Sequence, residues 1–260
     1  MRIGLFGDVH GNFQALEGAW KALSAAGADL FVCTGDVVQY GPEPAECVAF
    51  LREHGCDCVQ GNCDRAVARG RKSTGDEYEN RYWASLAAEA LEWTAAEIRG
   101  MDRSWLRDLP EEVRFEAGRR IVMVTHGLPG NVSGSLPSRP FAEVCDRILA
   151  SSRAGVVVVG HTHEPALFQR PAGWISNPGS LGGGTLPSAG TAGLLDMPER
   201  GPVCFSMLRV PFDAAAYARK SRDAGLPELF ARCLELGRDP RGRWHTDDIY
   251  LRQRWAEGKV

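Results

Sequence analysis

Residues 3–12 read IGLFGDVHGN, an apolar run that stops abruptly at glycine, aspartate and histidine. The same arrangement recurs in FVCTGD at 31–36, CVQGN at 58–62, IVMVTHG at 121–127 and VVVVGHTH at 156–163. Short runs rich in β-branched residues predict buried strands. The sequence therefore places polar groups just beyond the carboxyl ends of five predicted strands.

The segments around these runs predict an α/β fold. Strands at 2–6, 30–34 and 57–60 alternate with helices at 12–26 and 44–54, and this βαβαβ order is typical of a parallel sheet. In open α/β sheets, ligands bind outside the carboxyl ends of the strands. We therefore expect the polar groups to converge on one site.

The remainder of the chain is expected to belong to the same single domain, 1–260. Residues 65–112 favour a helical insertion that caps the site, with helices near 77–98 and 103–109, and a helical tail is expected over 212–260. A helix is also expected at 140–151. Further strands are predicted at 113–116, 120–125, 156–159, 166–169, 174–176, 192–196 and 203–210.

Seven strand-end groups can bind metal: Asp8, His10, Asp36, Asn62, His126, His161 and His163. Imidazole nitrogen combined with carboxylate oxygen suits Mn, Fe, Zn, Co or Ni, whereas Mg and Ca prefer oxygen alone. Seven ligands exceed the four of one tetrahedral zinc ion. Two divalent cations that share a carboxylate fit better, and such pairs serve phosphoryl chemistry.

Composition excludes several other classes of function. A net charge of −3 carries no strong nucleic-acid signal, and no apolar stretch approaches a membrane span. The N-terminus does not resemble a signal peptide, so the eight cysteines are expected to be reduced and the protein cytoplasmic. Cys56, Cys58 and Cys63 lack the second pair of a structural zinc site. Core positions are predicted for Cys33, Cys47, Cys145 and Cys204.

The motifs strongly resemble those of the calcineurin-like metallophosphoesterase superfamily, particularly its small bacterial phosphodiesterase branch. They appear in order as GDVH at 7–10, GDVV at 35–38, GNCD at 61–64, THG at 125–127 and GHTH at 160–163, followed by NPGS at 177–180. The resemblance implies a four-layer αββα sandwich of two mixed sheets. It also implies a phosphoester attacked by metal-bound hydroxide.

By matching positions, the resemblance assigns the ligands to two metals. One metal would be held by Asp8, His10, Asp36 and His163, and the other by Asp36, Asn62, His126 and His161, with Asp36 as the bridge. Mn is the favoured metal, and Fe, Zn, Ni and Co also suit these ligands. The expected partner is a small phosphoester such as a nucleotide, and the oligomeric state stays open.

One position departs from many relatives, which carry a histidine after the GN asparagine to protonate the leaving group. Here Cys63 and then Asp64 follow Asn62, so either could serve as the acid, and we expect weakened acid catalysis. Tyr40 and Arg65 are candidate substrate contacts. Packing of Tyr40 on the sheet and a solvated basic helix face around Arg65 are the structural alternatives.

Four other functions stay open at this point. A phosphomonoesterase or a serine/threonine protein phosphatase would use the same metals. Residues 63–69 match the Cys-x5-Arg spacing of cysteine-dependent phosphatases, although they lack the glycine and hydroxyl groups of such a loop. A non-catalytic scaffold could keep the fold, but scaffolds typically lose metal ligands and this chain keeps all seven.

Overall fold

The structure is a computed structural model that describes residues 1–137, 140–183 and 186–238. The strands are β1 (Arg2–Phe6), β2 (Leu30–Cys33), β3 (Asp57–Cys58), β4 (Glu112–Ala117), β5 (Arg120–Thr125), β6 (Val156–Val158), β7 (Ala166–Arg170), β8 (Gly173–Asn177), β9 (Ala189–Asp196) and β10 (Cys204–Pro211). The helices are α1 (Phe13–Ala25), α2 (Pro44–Glu53), α3 (Asn62–Ala68), α4 (Arg81–Glu97), α5 (Gly100–Asp108), α6 (Ala142–Ser152), α7 (Ala214–Asp223) and α8 (Glu228–Leu236).

The strands form two mixed five-stranded sheets. The first has the order β10-β9-β1-β2-β3, in which β1, β2 and β3 are parallel and β9 and β10 are antiparallel. The second has the order β4-β5-β6-β8-β7, in which β5, β6 and β8 are parallel and the two edge strands are antiparallel. The expected pair of mixed sheets is confirmed.

Alternation along the strands sorts apolar side chains into separate cores, because successive residues of a strand point to opposite faces. In β1, Ile3 and Leu5 pack between the sheets, whereas Phe6 packs with α1 and α2 on the outer face. In β6, Val156 joins the inter-sheet core, and Val157 packs against α6 on the other outer face. The molecule therefore has the four αββα layers that the sequence predicted.

The insertion contains three helices rather than the two predicted. The short helix α3 begins at Asn62 itself, and α4 and α5 follow an irregular segment at 69–80. Trp83 of α4 packs against Phe230 of α8, with ring centroids 6.3 Å apart. The insertion and the C-terminal helices therefore share one apolar cluster.

The predicted helical tail is interrupted, since α7 ends at Asp223 and α8 begins at Glu228. Gly225 has a φ of +73° and Pro227 is the N-cap of α8, so both residues favour a turn there. The part of the expected tail from 239 to 260 lies outside the described residues.

Three of the four cysteines assigned to the core are buried, and one assignment is wrong. Cys33, Cys47 and Cys145 are buried, but Cys204 is exposed. Cys204 begins β10, which is an edge strand of the first sheet and has several exposed positions. An apolar run along such a strand does not put each of its residues in a core.

No helix within the described ranges is long and apolar enough to cross a lipid bilayer. Among those helices, the longest is α4 with 17 residues, and it carries charged side chains.

Packing between the sheets predicts unequal costs for two leucine-to-alanine substitutions. Leu5 is fully buried in the inter-sheet core, so Leu5→Ala should lower the free energy of unfolding by about 2–5 kcal/mol. Leu167 on the edge strand β7 is 42% exposed, so Leu167→Ala should cost about 0.5 kcal/mol or less. Urea unfolding of the metal-free proteins measures both values, and equal costs would contradict the layer assignment.

Candidate metal centre

Loops from both sheets bring the seven predicted ligands to one edge of the sandwich. Asp8 and His10 follow β1, Asp36 follows β2 and Asn62 follows β3 in the first sheet, whereas the second sheet contributes residues after β5 and β6. All seven side chains are buried: Asp8, His10, Asp36, Asn62, His126, His161 and His163.

Three overlapping groups of side chains have ligand atoms within 4.8 Å of one another. They are Asp8, His10 and His163; Asp36, His126 and His161; and His10, Asp36 and Cys63. The Nε2 atoms of His10 and His163 lie 3.0 Å apart, and the Oδ1 atom of Asn62 lies 3.0 Å from Nε2 of His126. All seven predicted ligands are therefore close together, and Asp36 belongs to two of the groups.

The backbone of this edge is strained. Nine non-glycine residues of the described chain have a positive φ, and five of the nine are predicted ligands: Asp8, His10, Asp36, His161 and His163. A left-handed conformation costs an ordinary residue about 1–2 kcal/mol, and such residues cluster at functional sites. Backbone hydrogen bonds hold the loops, including His10 N–H to the Asp36 carbonyl at 3.0 Å.

Hydrogen bonds to carbonyl groups orient two of the imidazoles. Nδ1 of His126 donates to the Thr34 carbonyl at 2.8 Å, and Nδ1 of His10 lies 3.3 Å from the Val38 carbonyl. In each ring this contact leaves Nε2 facing the cluster. Metal-binding histidines in proteins commonly have such a support on the other ring nitrogen.

Charges within the cluster shift the pKa values of Asp36 and His126 in the direction opposite to the effect of burial. Burial alone would raise the pKa of Asp36, but His126 and His10 hold it well below its usual range. Burial would likewise lower the pKa of His126, yet the Asp36 carboxylate at 3.4 Å raises that pKa to about 10. Without a cation, His126 therefore carries a proton at neutral pH and neutralises Asp36.

The donor set fits divalent transition metals. With neutral imidazoles, the buried Asp8 and Asp36 leave two negative charges in a site that otherwise offers nitrogen and amide-oxygen donors and the sulfur of Cys63. Nitrogen and oxygen together are the ligands that Mn, Fe, Zn, Co and Ni accept. Buried charges in proteins are normally paired or bound to metals.

Gly61 is required by the close approach of two loops. A Cβ atom at this position would overlap the Asp36 carboxylate and its backbone nitrogen. The missing side chain allows the Cys63 N–H to donate to Oδ1 of Asp36 at 2.9 Å. The glycine before Asn62 thus allows the loops that follow β2 and β3 to pack closely against each other.

The two candidate acids occupy different environments. Both carboxylate oxygens of Asp64 accept backbone N–H groups: Oδ1 from Val37 and Val38, at 2.9 and 3.2 Å, and Oδ2 from Gly61 at 3.0 Å. Burial and Asp36 raise the pKa of Asp64 to about 7. Burial and Asp36 also raise the pKa of the Cys63 thiol, which is fully buried. These contacts favour a role for Asp64 in holding the metal loops.

The two candidate substrate contacts both have partners within the protein. Tyr40 is buried, and its hydroxyl group lies 2.8 Å from that of Tyr78. Its ring packs between His10 and Phe230, with centroids 5.0 and 4.9 Å away. Arg65 donates to Gln60 at 3.0 Å and to Glu111 at 2.7 Å. For both residues, these contacts support the packing alternative over direct binding of substrate.

Sequence reasoning missed two residues that support the site. Asn177 donates to the Gly160 carbonyl at 2.9 Å, which holds the loop before His161. Asp76 lies in the irregular part of the insertion and accepts from the Asn62 amide at 3.0 Å. The NPGS segment drew attention to Asn177 without indicating a role, and no local pattern distinguished Asp76.

Buried His and Asp clusters at the loop edge of an αββα sandwich define a metallophosphoesterase. The sequence profile of the calcineurin-like phosphoesterase superfamily domain matches residues 1–200. The chain belongs to this superfamily, and the resemblance seen in the motifs is confirmed.

Individual relatives agree with this assignment. An uncharacterized protein of Methanocaldococcus jannaschii is 26% identical over 91% of this chain and 98% of its own length. Phosphodiesterase YfcE of Escherichia coli is 25% identical over 75% of this chain and 88% of its own length. The crystal structure of a metallophosphoesterase from Sphaerobacter thermophilus is similar with a TM-score of 0.72 and 28% identity, covering 91% of this chain and 99% of that one.

The proton on His126 predicts that metal binding depends on pH. A cation binds only neutral imidazole, and the pKa of His126 is raised to about 10 in the absence of metal. Metal binding at pH 7 should therefore release about one proton, and the affinity for metal should rise with pH. Calorimetric titration with Mn²⁺ in PIPES and in Tris measures this release, because the heat includes buffer protonation. Identical observed heats in the two buffers would contradict it, and the exposed His54→Ala variant should match the wild type.

Proposed function

We propose that this metallophosphoesterase is a phosphodiesterase for nucleotide-like or other small phosphodiesters, and that it works with two divalent transition-metal ions, Mn²⁺ in the first instance. The observation that carries the proposal is the convergence of seven nitrogen and oxygen ligands within overlapping groups. One ion would be held by Asp8, His10, Asp36 and His163, and the other by Asp36, Asn62, His126 and His161.

Two such ions, when bound, supply charge neutralisation for phosphoryl oxygens and lower the pKa of a bound water. The protein's own residues supply the geometry. Asp36 lies between the two imidazole groups, 3.4 Å from Nε2 of His126 and 4.0 Å from that of His10. This central position supports its role as the shared ligand.

Cys63 supports a preference for easily displaced leaving groups. It occupies the position where many relatives have a histidine acid, and its buried thiol lacks the imidazole that protonates the leaving group there. Asp64 is engaged by three backbone N–H groups. Aryl phosphoesters, whose phenol leaving groups depart with little protonation, therefore fit the site better than alkyl phosphoesters.

A cavity near Asn62 supports a small substrate: its lining includes none of the seven predicted ligands, but it includes Asp76, which accepts a hydrogen bond from the Asn62 amide. It has a volume of about 180 Å³, and its lining includes Lys72, Asp76 and Tyr78 of the insertion. Pockets for drug-sized ligands are about 300–1,000 Å³, so this cavity suits one ring or a comparable substituent. The relative named phosphodiesterase YfcE aligns with 75% of this chain, whereas a serine/threonine-protein phosphatase of Salmonella typhimurium aligns with 32%, and this difference supports the diesterase assignment.

Two features of Cys63 argue against the cysteine-phosphatase alternative. Such enzymes need a loop whose backbone N–H groups surround phosphate, but residues 62–68 form helix α3. The Cys63 thiol is also buried with a raised pKa, whereas a nucleophilic cysteine needs a lowered one.

A substrate panel tests the proposed function. The Mn²⁺-loaded protein should hydrolyse bis(p-nitrophenyl) phosphate faster than p-nitrophenyl phosphate, and cyclic nucleotides and dinucleoside polyphosphates faster than phosphopeptides. Activity should disappear with EDTA and fall by at least about 100-fold in Asp36→Asn, because both ions share that ligand. Full activity after removal of metal would refute the proposal, and a metal-loaded but inactive protein would favour the scaffold alternative.

The replaced histidine predicts a steep dependence of rate on the leaving group. Among aryl phosphodiesters, kcat should fall steadily as the pKa of the leaving phenol rises, because little protonation assists its departure. Cys63→Ser should keep the same slope if the thiol takes no part in acid catalysis. A flat dependence in the wild type would show that an efficient general acid is present.

A further inference from the structure

The side-chain amide of Asn62 has one orientation that its surroundings favour. Its nitrogen lies 3.0 Å from Oδ2 of Asp76 and 3.4 Å from the carbonyl oxygen of Thr74, and both of these atoms are acceptors. A reversed amide would set its oxygen against two other oxygens. The observed orientation directs Oδ1 toward His126 and hence toward the cluster.

The Asp76 carboxylate is itself held in place by the insertion. The hydroxyl group of Thr74 donates to Oδ2 of Asp76 at 2.8 Å, and the Asp76 N–H donates back to that hydroxyl oxygen at 3.3 Å. Gly75 between them has a φ of +88°, which permits the tight turn. Thr74 is buried and Asp76 is partly buried, so this turn is packed against the site.

We propose that Asp76 is a positioning residue of the metal centre, which fixes the amide of Asn62 so that its oxygen faces the cation. The inference rests on the proposed function, since it gives Asn62 a metal to bind. An ionised acceptor makes a stronger hydrogen bond than a neutral one. The insertion would thus do more than cap the site, because Asp76 within it orients one of the predicted ligands.

A direct role of Asp76 as the general acid is less consistent with its contacts. Oδ2 already accepts hydrogen bonds from both Asn62 and Thr74, so this oxygen serves to hold two neighbouring groups. An acid that protonates a leaving group must carry the proton itself. The two roles also predict different measurements.

Calorimetric titration with Mn²⁺ separates the possibilities. Asp76→Ala should weaken one of the two Mn²⁺ sites by about 10–100-fold and leave the other near its wild-type affinity. Asp76→Asn, which keeps an acceptor oxygen, should have an intermediate affinity. Glu79→Gln removes an exposed acidic group from the same loop and should match the wild type.

Kinetics give a second readout. In Asp76→Ala, the Mn²⁺ concentration for half-maximal activity should rise by the same factor as the dissociation constant, and saturating Mn²⁺ should restore kcat to within about twofold. Unfolding midpoints of the metal-free variants show whether each one folds.

Three results would overturn the inference. Asp76→Ala could bind two Mn²⁺ ions with wild-type affinities, or it could lose affinity equally at both sites. It could also bind metal normally and lose kcat mainly on substrates with poor leaving groups, which would identify Asp76 as the acid. A wild-type protein that binds no Mn²⁺ would instead refute the proposed function itself.

Discussion

The burial of two neighbouring carboxylates, Asp36 and Asp64, is the constraint on which the site depends. Each would be costly without donors, and the backbone provides them: Cys63 N–H for Asp36, and three N–H groups from the β2 and β3 loops for Asp64. Those hydrogen bonds fasten the two loops to each other. The geometry of the ligands therefore follows from the way in which the fold accommodates its buried acids.

The site also joins the two sheets. Nδ1 of His126 in the second sheet donates to the carbonyl of Thr34 in the first, and the His161 N–H lies 3.1 Å from the Asp8 carboxylate. Neither half of the sandwich contains a complete set of ligands. The inter-sheet core therefore determines the distances within the metal centre as well as the stability of the fold.

Local patterns predicted the strands and their polar ends because a few consecutive residues determine both a buried strand and the turn that follows it. Helix α3 was missed because it has only seven residues and follows Asn62 immediately. The exposure of Cys204 depends on its place at a sheet edge, and the burial of Tyr40 depends on Phe230, far away in the chain. Asp76 was missed because its hydrogen bond with Asn62 depends on the folding of the whole insertion.

Five predicted ligands have left-handed backbone conformations, each of which costs up to about 1–2 kcal/mol and less for Asp or His than for a β-branched residue. Glycine at those positions would relieve the strain, so selection for stability alone would remove the ligands. A duplicated copy that no longer needed catalysis would be expected to accumulate glycine or asparagine at these five positions. Retention of these residues in any descendant would therefore indicate continued selection for chemistry.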